Sequence, residues 1–233
     1  GTKDYLMVNN TDSIYPTAIP VEYPVAGESP SPFKIGVVEL QTKQLKWMNI
    51  PYDHSMGSYA PRMEWVNANQ LVVQHLDRKQ QQSTLLLTDV KTGVASSLYK
   101  EYDSAWIDIM PSWDQDYANG GWDWLNGGRE FLWASEKDGW RHIYRISIIG
   151  GKETLITRGN LDVMDIVRVD EKGNYLYFMA SPENATQLYL YRSRLDGKGV
   201  VERVTPRDQP GTHRYEIAPG AFYAKHSFSN HYI

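Results

Sequence analysis

The chain should be built from β-strands alone, and three features of its 233 residues lead there. Aromatic residues are plentiful, with 16 Tyr and 8 Trp, and such side chains favour the pleated, half-buried surface of a sheet. Apolar runs are short: LYLYRSRL (188–195) alternates with period two, while FLWA (131–134) and LVV (71–73) are solidly apolar, as in strands covered on both faces. Gly and Pro break the sequence every few residues, which is the punctuation of tight turns.

In order along the chain, the segments repeat one plan: a turn, an apolar strand, a polar loop, an alternating strand, a short Gly turn and a further strand. FKIGVVEL (33–40), QTK (41–43) and QLKWMNIP (44–51) fit the last two strands of an incomplete unit over 1–52. The plan is full in 59–101, where LVVQHLD (71–77), RKQQQS (78–83), TLLLTDV (84–90), KTG (91–93) and VASSLYKE (94–101) succeed one another. It returns in 123–159 as REFLWASE (129–136), KDGWR (137–141), HIYRISI (142–148), IGG (149–151) and KETLITRG (152–159). A third copy over 163–206 carries NYLYFMASP (174–182), LYLYRSRL, DGKG (196–199) and VVERVTP (200–206), and APGAFYAKHSFSNHYI (218–233) fits the start of an incomplete unit over 213–233.

The second and third full copies lie about 45 residues apart, the period of four-stranded propeller blades. The first and second lie about 60 apart, so roughly 15 extra residues sit between them. They locate a long inserted loop at 103–122, rich in Asp and Trp and without the strand pattern of its neighbours. The expected architecture is therefore an all-β, partial β-propeller of about four to five four-stranded antiparallel blades. A blade cannot bury both faces without neighbours, so incomplete units at both ends read as a piece cut from a larger ring.

Composition narrows the function. A net charge of -4 with scattered Lys and Arg offers no basic field, so no nucleic acid partner is expected. Without cysteine there is no disulfide framework, thiolate metal site or cysteine nucleophile. No run of about 18 apolar residues suggests a membrane span in this segment, and Gly1 does not open a signal peptide. Asn9 and Asn184 each begin an Asn-x-Thr triplet, a pattern common by chance.

The six histidines, His54, His75, His142, His213, His226 and His231, form no H-E-x-x-H or other recognised metal spacing, so each is expected to be structural or on the surface. Asp103, Asp108, Asp114 and Asp116, interleaved with Trp106, Trp113 and Trp122, could in principle hold calcium or stack on a ligand. The one-three-five Asp spacing of a calcium loop is missing, however, and no metal or cofactor is expected. Trp65, Trp133 and Trp140 occupy repeated strand or strand-adjacent positions and should fill the core. Arg78, Lys79 and Arg141 read as solvated loop charges.

Four segments resemble the N-terminal propeller of dipeptidyl peptidase IV-like serine peptidases, of the prolyl oligopeptidase group, particularly its bacterial members. They are YPVAG (23–27) with FKIGVVEL; EWVNANQLVVQHLDRKQQ (64–81) with LLLTDVKTG (85–93); FLWASEKDGWRHIYRI (131–146) with LITRG (155–159); and QLYLYRSRLDG (187–197) with VTP (204–206). The family usually follows YP-x-AG with Asn-Pro, where this chain has SPSP (29–32).

The resemblance implies a parent enzyme, periplasmic or secreted, in which the propeller caps a C-terminal α/β-hydrolase domain of the same chain and admits short peptide substrates. It also implies a homodimer of the parent. The hydrolase domain would carry a G-x-S-x-G elbow, which this sequence lacks, so no catalytic residue is expected here and the segment alone should be inactive. The family's adjacent Glu-Glu anchor for the substrate amine is also missing. In the family the long loop approaches the substrate cavity, which makes Trp106 and Trp113 the candidate lining residues. Two functions remain open: the non-catalytic part of a serine exopeptidase that releases N-terminal dipeptides, often X-Pro, or a free-standing periplasmic binding propeller that presents the Asp/Trp loop to a protein or glycan.

Overall fold

A computed structural model describes residues 2–109 and 123–231. Among them are eighteen strands and no helix. The chain divides into two compact units: Gly1–Lys100 with Ser104–Trp106, and Glu101–Asp103 with Ile107–Ile233.

In the first unit, β1 (Asp4–Asn9) and β2 (Thr17–Glu22) form a hairpin, and β3 (Gly36–Val38) and β4 (Leu45–Trp47) form a second. Residues 1–52 thus contribute two separate two-stranded sheets. β5 (Ser58–Asn67), β6 (Gln70–Asp77), β7 (Gln82–Asp89) and β8 (Ala95–Tyr102) then make a four-stranded antiparallel meander. The solidly apolar LVV run lies on β6 and is buried on both faces, as its pattern required. The KTG turn between β7 and β8 ends at Gly93, whose φ is +80°. A Cβ there would come within 2.5 Å of the Trp47 carbonyl, so only glycine fits this close approach.

The second unit holds two further meanders. β9 (Trp124–Leu125), β10 (Glu130–Ser135), β11 (His142–Ser147) and β12 (Glu153–Leu155) form one. β13 (Asp165–Asp170), β14 (Tyr175–Ala180), β15 (Tyr189–Arg194) and β16 (Glu202–Arg203) form the other. β17 (Thr212–Ile217) and β18 (Ala224–Ser229) add a hairpin. The fold is the expected one, all-β with four-stranded antiparallel sheets of a partial β-propeller.

Alternation sets the packing in this unit. Leu132 and Ile143 from one meander meet Leu176, Phe178 and Tyr191 from the next, in a core whose central side chains are fully buried. Burying each such side chain contributes about 1.5–3 kcal/mol. A smaller cluster of Met179, Leu190 and Ile217 joins the second meander to the β17–β18 hairpin, and the Arg168 guanidinium donates twice to the Ile217 carbonyl there, at 3.0 and 2.6 Å.

The repeat extends to polar detail. Thr157 follows β12 and Thr205 follows β16, both buried. Their hydroxyl oxygens accept from the backbone N–H of Ile143 on β11 and Leu190 on β15, each at 2.9 Å. A buried amide left bare would cost about 1–3 kcal/mol, so the threonines of LITRG and VTP close the same gap in successive blades.

Two expectations about tryptophan need correction. Trp133 is buried, but Trp65 is 53% exposed, because it shares with Met63 the uncovered face of β5. Trp140 is 38% exposed, because it stands in the β10–β11 turn rather than on a strand.

Candidate functional site

The start of the inserted segment is fixed by groups from strand-connecting loops. Asp77, at the end of β6, accepts from the backbone N–H of Gln81 and Gln82, folding the RKQQQS loop back on itself. That geometry aims the Gln81 amide at the Ser104 carbonyl, to which it donates at 2.6 Å. Glu101, near the end of β8, accepts from Trp133 Nε1 at 2.9 Å and from the Ser135 hydroxyl.

Further along, Ile107 is buried and Asp108 reaches Arg141 in the turn between β10 and β11. The Arg141 guanidinium lies 2.8 Å from the Asp108 carboxylate and 2.8 Å from that of Glu136, and its backbone N–H donates to Asp162 at 2.8 Å. The sequence reading of Arg141 as a solvated charge is therefore corrected: it is the centre of a three-carboxylate cluster. Arg78 is corrected likewise, since it donates to the Glu28 carbonyl at 3.3 Å and sits over the Tyr59 ring.

Beside Arg141 the turn is braced by a second polar group. His142, buried on β11, lies 2.8 Å from Asp138 through Nδ1 and donates through Nε2 to the Gly159 carbonyl at 2.9 Å. The Tyr144 hydroxyl donates to the same Asp138 oxygen at 2.8 Å. Burial pushes the Asp138 carboxyl up, but the hydrogen bonds from His142 and Tyr144 outweigh it, and the group is held below the usual carboxylate range. Burial, and then the bond to Asp138, raise the Tyr144 phenol. Lys137 pairs with Glu153 and places its ammonium 3.9 Å from the centre of the Tyr144 ring.

This arrangement positions and carries charge. His142 and Tyr144 are committed to holding the turn, and among the described residues no side-chain hydroxyl is hydrogen-bonded to the imidazole as a nucleophile would be. Among the described residues no group of three or more His, Asp or Glu is placed to hold a metal ion. No helix among them is long and apolar enough to cross a membrane. His213 is buried; its Nε2 donates to the Gln209 carbonyl and its Nδ1 lies 2.8 Å from His226 Nε2. Burial and the neighbouring His226 push His213 down, which suits a neutral packing role.

Of the two candidate lining residues, Trp106 stands 60% exposed just before the buried Ile107. Trp113 lies outside the described residues, as do Asp114, Asp116 and Trp122. Sequence reasoning missed Glu136, Asp138 and Asp162. Only the density of acids around KDGWR hinted at them.

Comparison with known proteins gives a consistent set of matches. Residues 1–232 match the family model described as dipeptidyl peptidase IV (DPP IV) N-terminal region. Dipeptidyl peptidase 4 of Arthroderma otae is 29% identical over 145 residues, covering 61% of this chain and 18% of that protein. Inactive dipeptidyl peptidase 10 of Mus musculus is 27% identical over 200 residues, covering 80% of this chain and 24% of that protein. The crystal structure of Porphyromonas gingivalis dipeptidyl peptidase 4 superposes with a TM-score of 0.79 at 25% identity, covering 98% of this chain and 30% of that one. The chain thus spans less than a third of the length of each of these relatives.

Proposed function

The chain belongs to the family of dipeptidyl peptidase IV N-terminal regions, and from that premise we propose that it is the non-catalytic propeller portion of a serine exopeptidase that removes N-terminal dipeptides, often X-Pro. The chemistry then resides in an α/β-hydrolase domain of the same polypeptide, and the propeller gates which peptides reach it. The match of residues 1–232 to this N-terminal region carries the reading. A propeller at the mouth of an active site excludes folded proteins by size, and fixed contacts to a short peptide turn binding into productive orientation. In the full-length protein, replacing the serine of its G-x-S-x-G elbow by alanine should abolish dipeptide release while leaving the fold intact. Release that survives the replacement would reject the reading.

Trp106 lines the peptide cavity on this reading, with Trp113 as its companion. Trp106→Ala and Trp113→Ala in the full-length enzyme should raise KM for peptide substrates, and unchanged kinetics for both would remove them from the cavity.

The parent is a homodimer on the same reading, outside the cytoplasm in the periplasm or the medium. The β1–β2 hairpin supports the dimer: Leu6 is 62% exposed, Val8 69%, Tyr15 82% and Ile14 96%. An apolar arm of this kind in water calls for a partner surface, and a two-fold contact supplies the same arm from each subunit.

One observation favours a second reading, a binding propeller without turnover. A relative covering 80% of this chain is named an inactive dipeptidyl peptidase. Such a protein would present the 103–122 segment to a protein or glycan, and its full-length form would release no dipeptide.

A further inference from the structure

Beside the Arg141 cluster, and sharing Asp162 with it, the second unit contains a groove of about 590 Å³ between the β10–β11 turn, the 160–164 connection and the β14–β15 loop. This volume falls in the range of roughly 300–1,000 Å³ typical of small-molecule sites. Trp140 contributes to one wall, exposed in its turn, with its indole N–H unengaged among the described residues. Met164 and Pro182 extend the apolar surface.

The polar lining is uncommitted. Asp162 spends one oxygen on the Arg141 backbone N–H and keeps the other. Asn184 uses its carbonyl oxygen within its own turn, accepting from Thr186, which leaves its NH₂ group available. The side chains of Asn160 and Thr212 have no partner among the described residues. Glu183 is paired with Arg203 and Arg207, so Asp162 is the one lining carboxylate among the described residues without a cation beside it.

These features select a ligand chemistry. Phosphates and nucleic acids need cationic donors, and no Lys or Arg stands among the described residues that line the groove. An extended peptide adds by a free strand edge, but the backbone here is consumed: Met164 N–H bonds Met179, Leu188 N–H bonds Gly211, and the Leu188 carbonyl accepts from His213. An aromatic side chain lining the same groove as separate amide, carboxylate and hydroxyl groups suits a ring with an apolar face and a rim of hydroxyls. We propose that this groove binds a neutral saccharide, stacked on Trp140 and hydrogen-bonded by Asn160, Asp162 and Asn184.

The site stands apart from the peptidase reading and does not depend on it. The test uses the full-length protein and saturation-transfer NMR with maltose, cellobiose and N,N′-diacetylchitobiose as probes. At least one should bind, with Trp140→Ala weakening it roughly tenfold and Trp140→Tyr restoring most of the affinity. Asp162→Asn should weaken binding by roughly three- to tenfold without altering the melting temperature by more than a few degrees. Dipeptide release, measured in parallel, should stay at the wild-type rate in Trp140→Ala. Failure of all three sugars to bind would overturn the proposal, as would binding that Trp140→Ala and Asp162→Asn leave untouched.

Discussion

The guanidinium of Arg141 and the carboxylate of Asp108 meet at 2.8 Å although 33 residues separate them in sequence. The same guanidinium holds Glu136, five residues before it. One side chain in a strand-connecting turn therefore holds both the start of the inserted segment, at Asp108, and its own turn, at Glu136. Arg141→Ala should cost about 1 kcal/mol, since each pair is partly solvated and such pairs contribute roughly 0.2–1 kcal/mol. A double-mutant cycle with Asp108→Ala, read by denaturant unfolding of the full-length protein, should give a coupling of about 0.5 kcal/mol. Zero coupling would mean the contact does not form in solution.

Asp138 should make the same turn acid-sensitive. Its folded carboxyl is held below the usual range, so its contribution is present above about pH 4 and fades as pH falls through the lower folded value. Asp138→Asn should be less stable than the wild type at pH 7, and the difference should shrink on acidification toward pH 3. Tyr144 acts in the opposite direction. Its phenol is raised in the folded state, so stability is lost as pH climbs past about 10, where the unfolded chain ionises first. Tyr144→Phe should flatten that alkaline limb in a thermal-melt series.

Asp165, at the start of β13, should lower stability at neutral pH. Burial pushes its carboxyl up to about 6, against the weaker opposing pull of the Ile166 N–H and Arg214. Between pH 4 and 6 the unfolded chain has released a proton that the folded chain retains, so stability falls as pH rises through that window and stays lower above it. Asp165→Asn should stabilise the protein at pH 7.5 and have little effect at pH 3.5, with the gain held to about 1 kcal/mol because solvent screens a part-exposed carboxylate. Equal effects at both pH values would contradict this account.

The β1–β2 hairpin should govern assembly of the full-length protein. Ile14→Asp with Leu6→Asp places charges on its most exposed apolar positions, and sedimentation should then report a monomer with an unchanged melting profile. A dimer that persists would place the interface elsewhere.

Much of this architecture was legible because period-two alternation and turn chemistry are local. LVVQHLD, HIYRISI and LYLYRSRL became β6, β11 and β15 within a residue or two, and KTG is the turn it was read as, between β7 and β8. The Arg141 cluster was hidden because Asp108 and Asp162 lie 33 and 21 residues away, and no local pattern encodes which loops converge. Trp140 was expected in the core from its place beside a strand, but the KDGWR turn that carries it, with Gly139 at φ +93°, leaves the indole 38% exposed. The two-residue β9 falls below the length at which alternation is detectable, whereas the equally short β16 lies inside the VVERVTP segment read as a strand.

The central claim is that this propeller serves a serine nucleophile located elsewhere in its polypeptide, and one assay addresses it directly. Full-length protein is incubated with a Gly-Pro chromogenic substrate, with and without a serine-directed inhibitor, beside the 233-residue segment alone. The account predicts release by the full-length protein, its abolition by the inhibitor, and none from the segment. No release by the full-length protein, or release that the inhibitor spares, would contradict it.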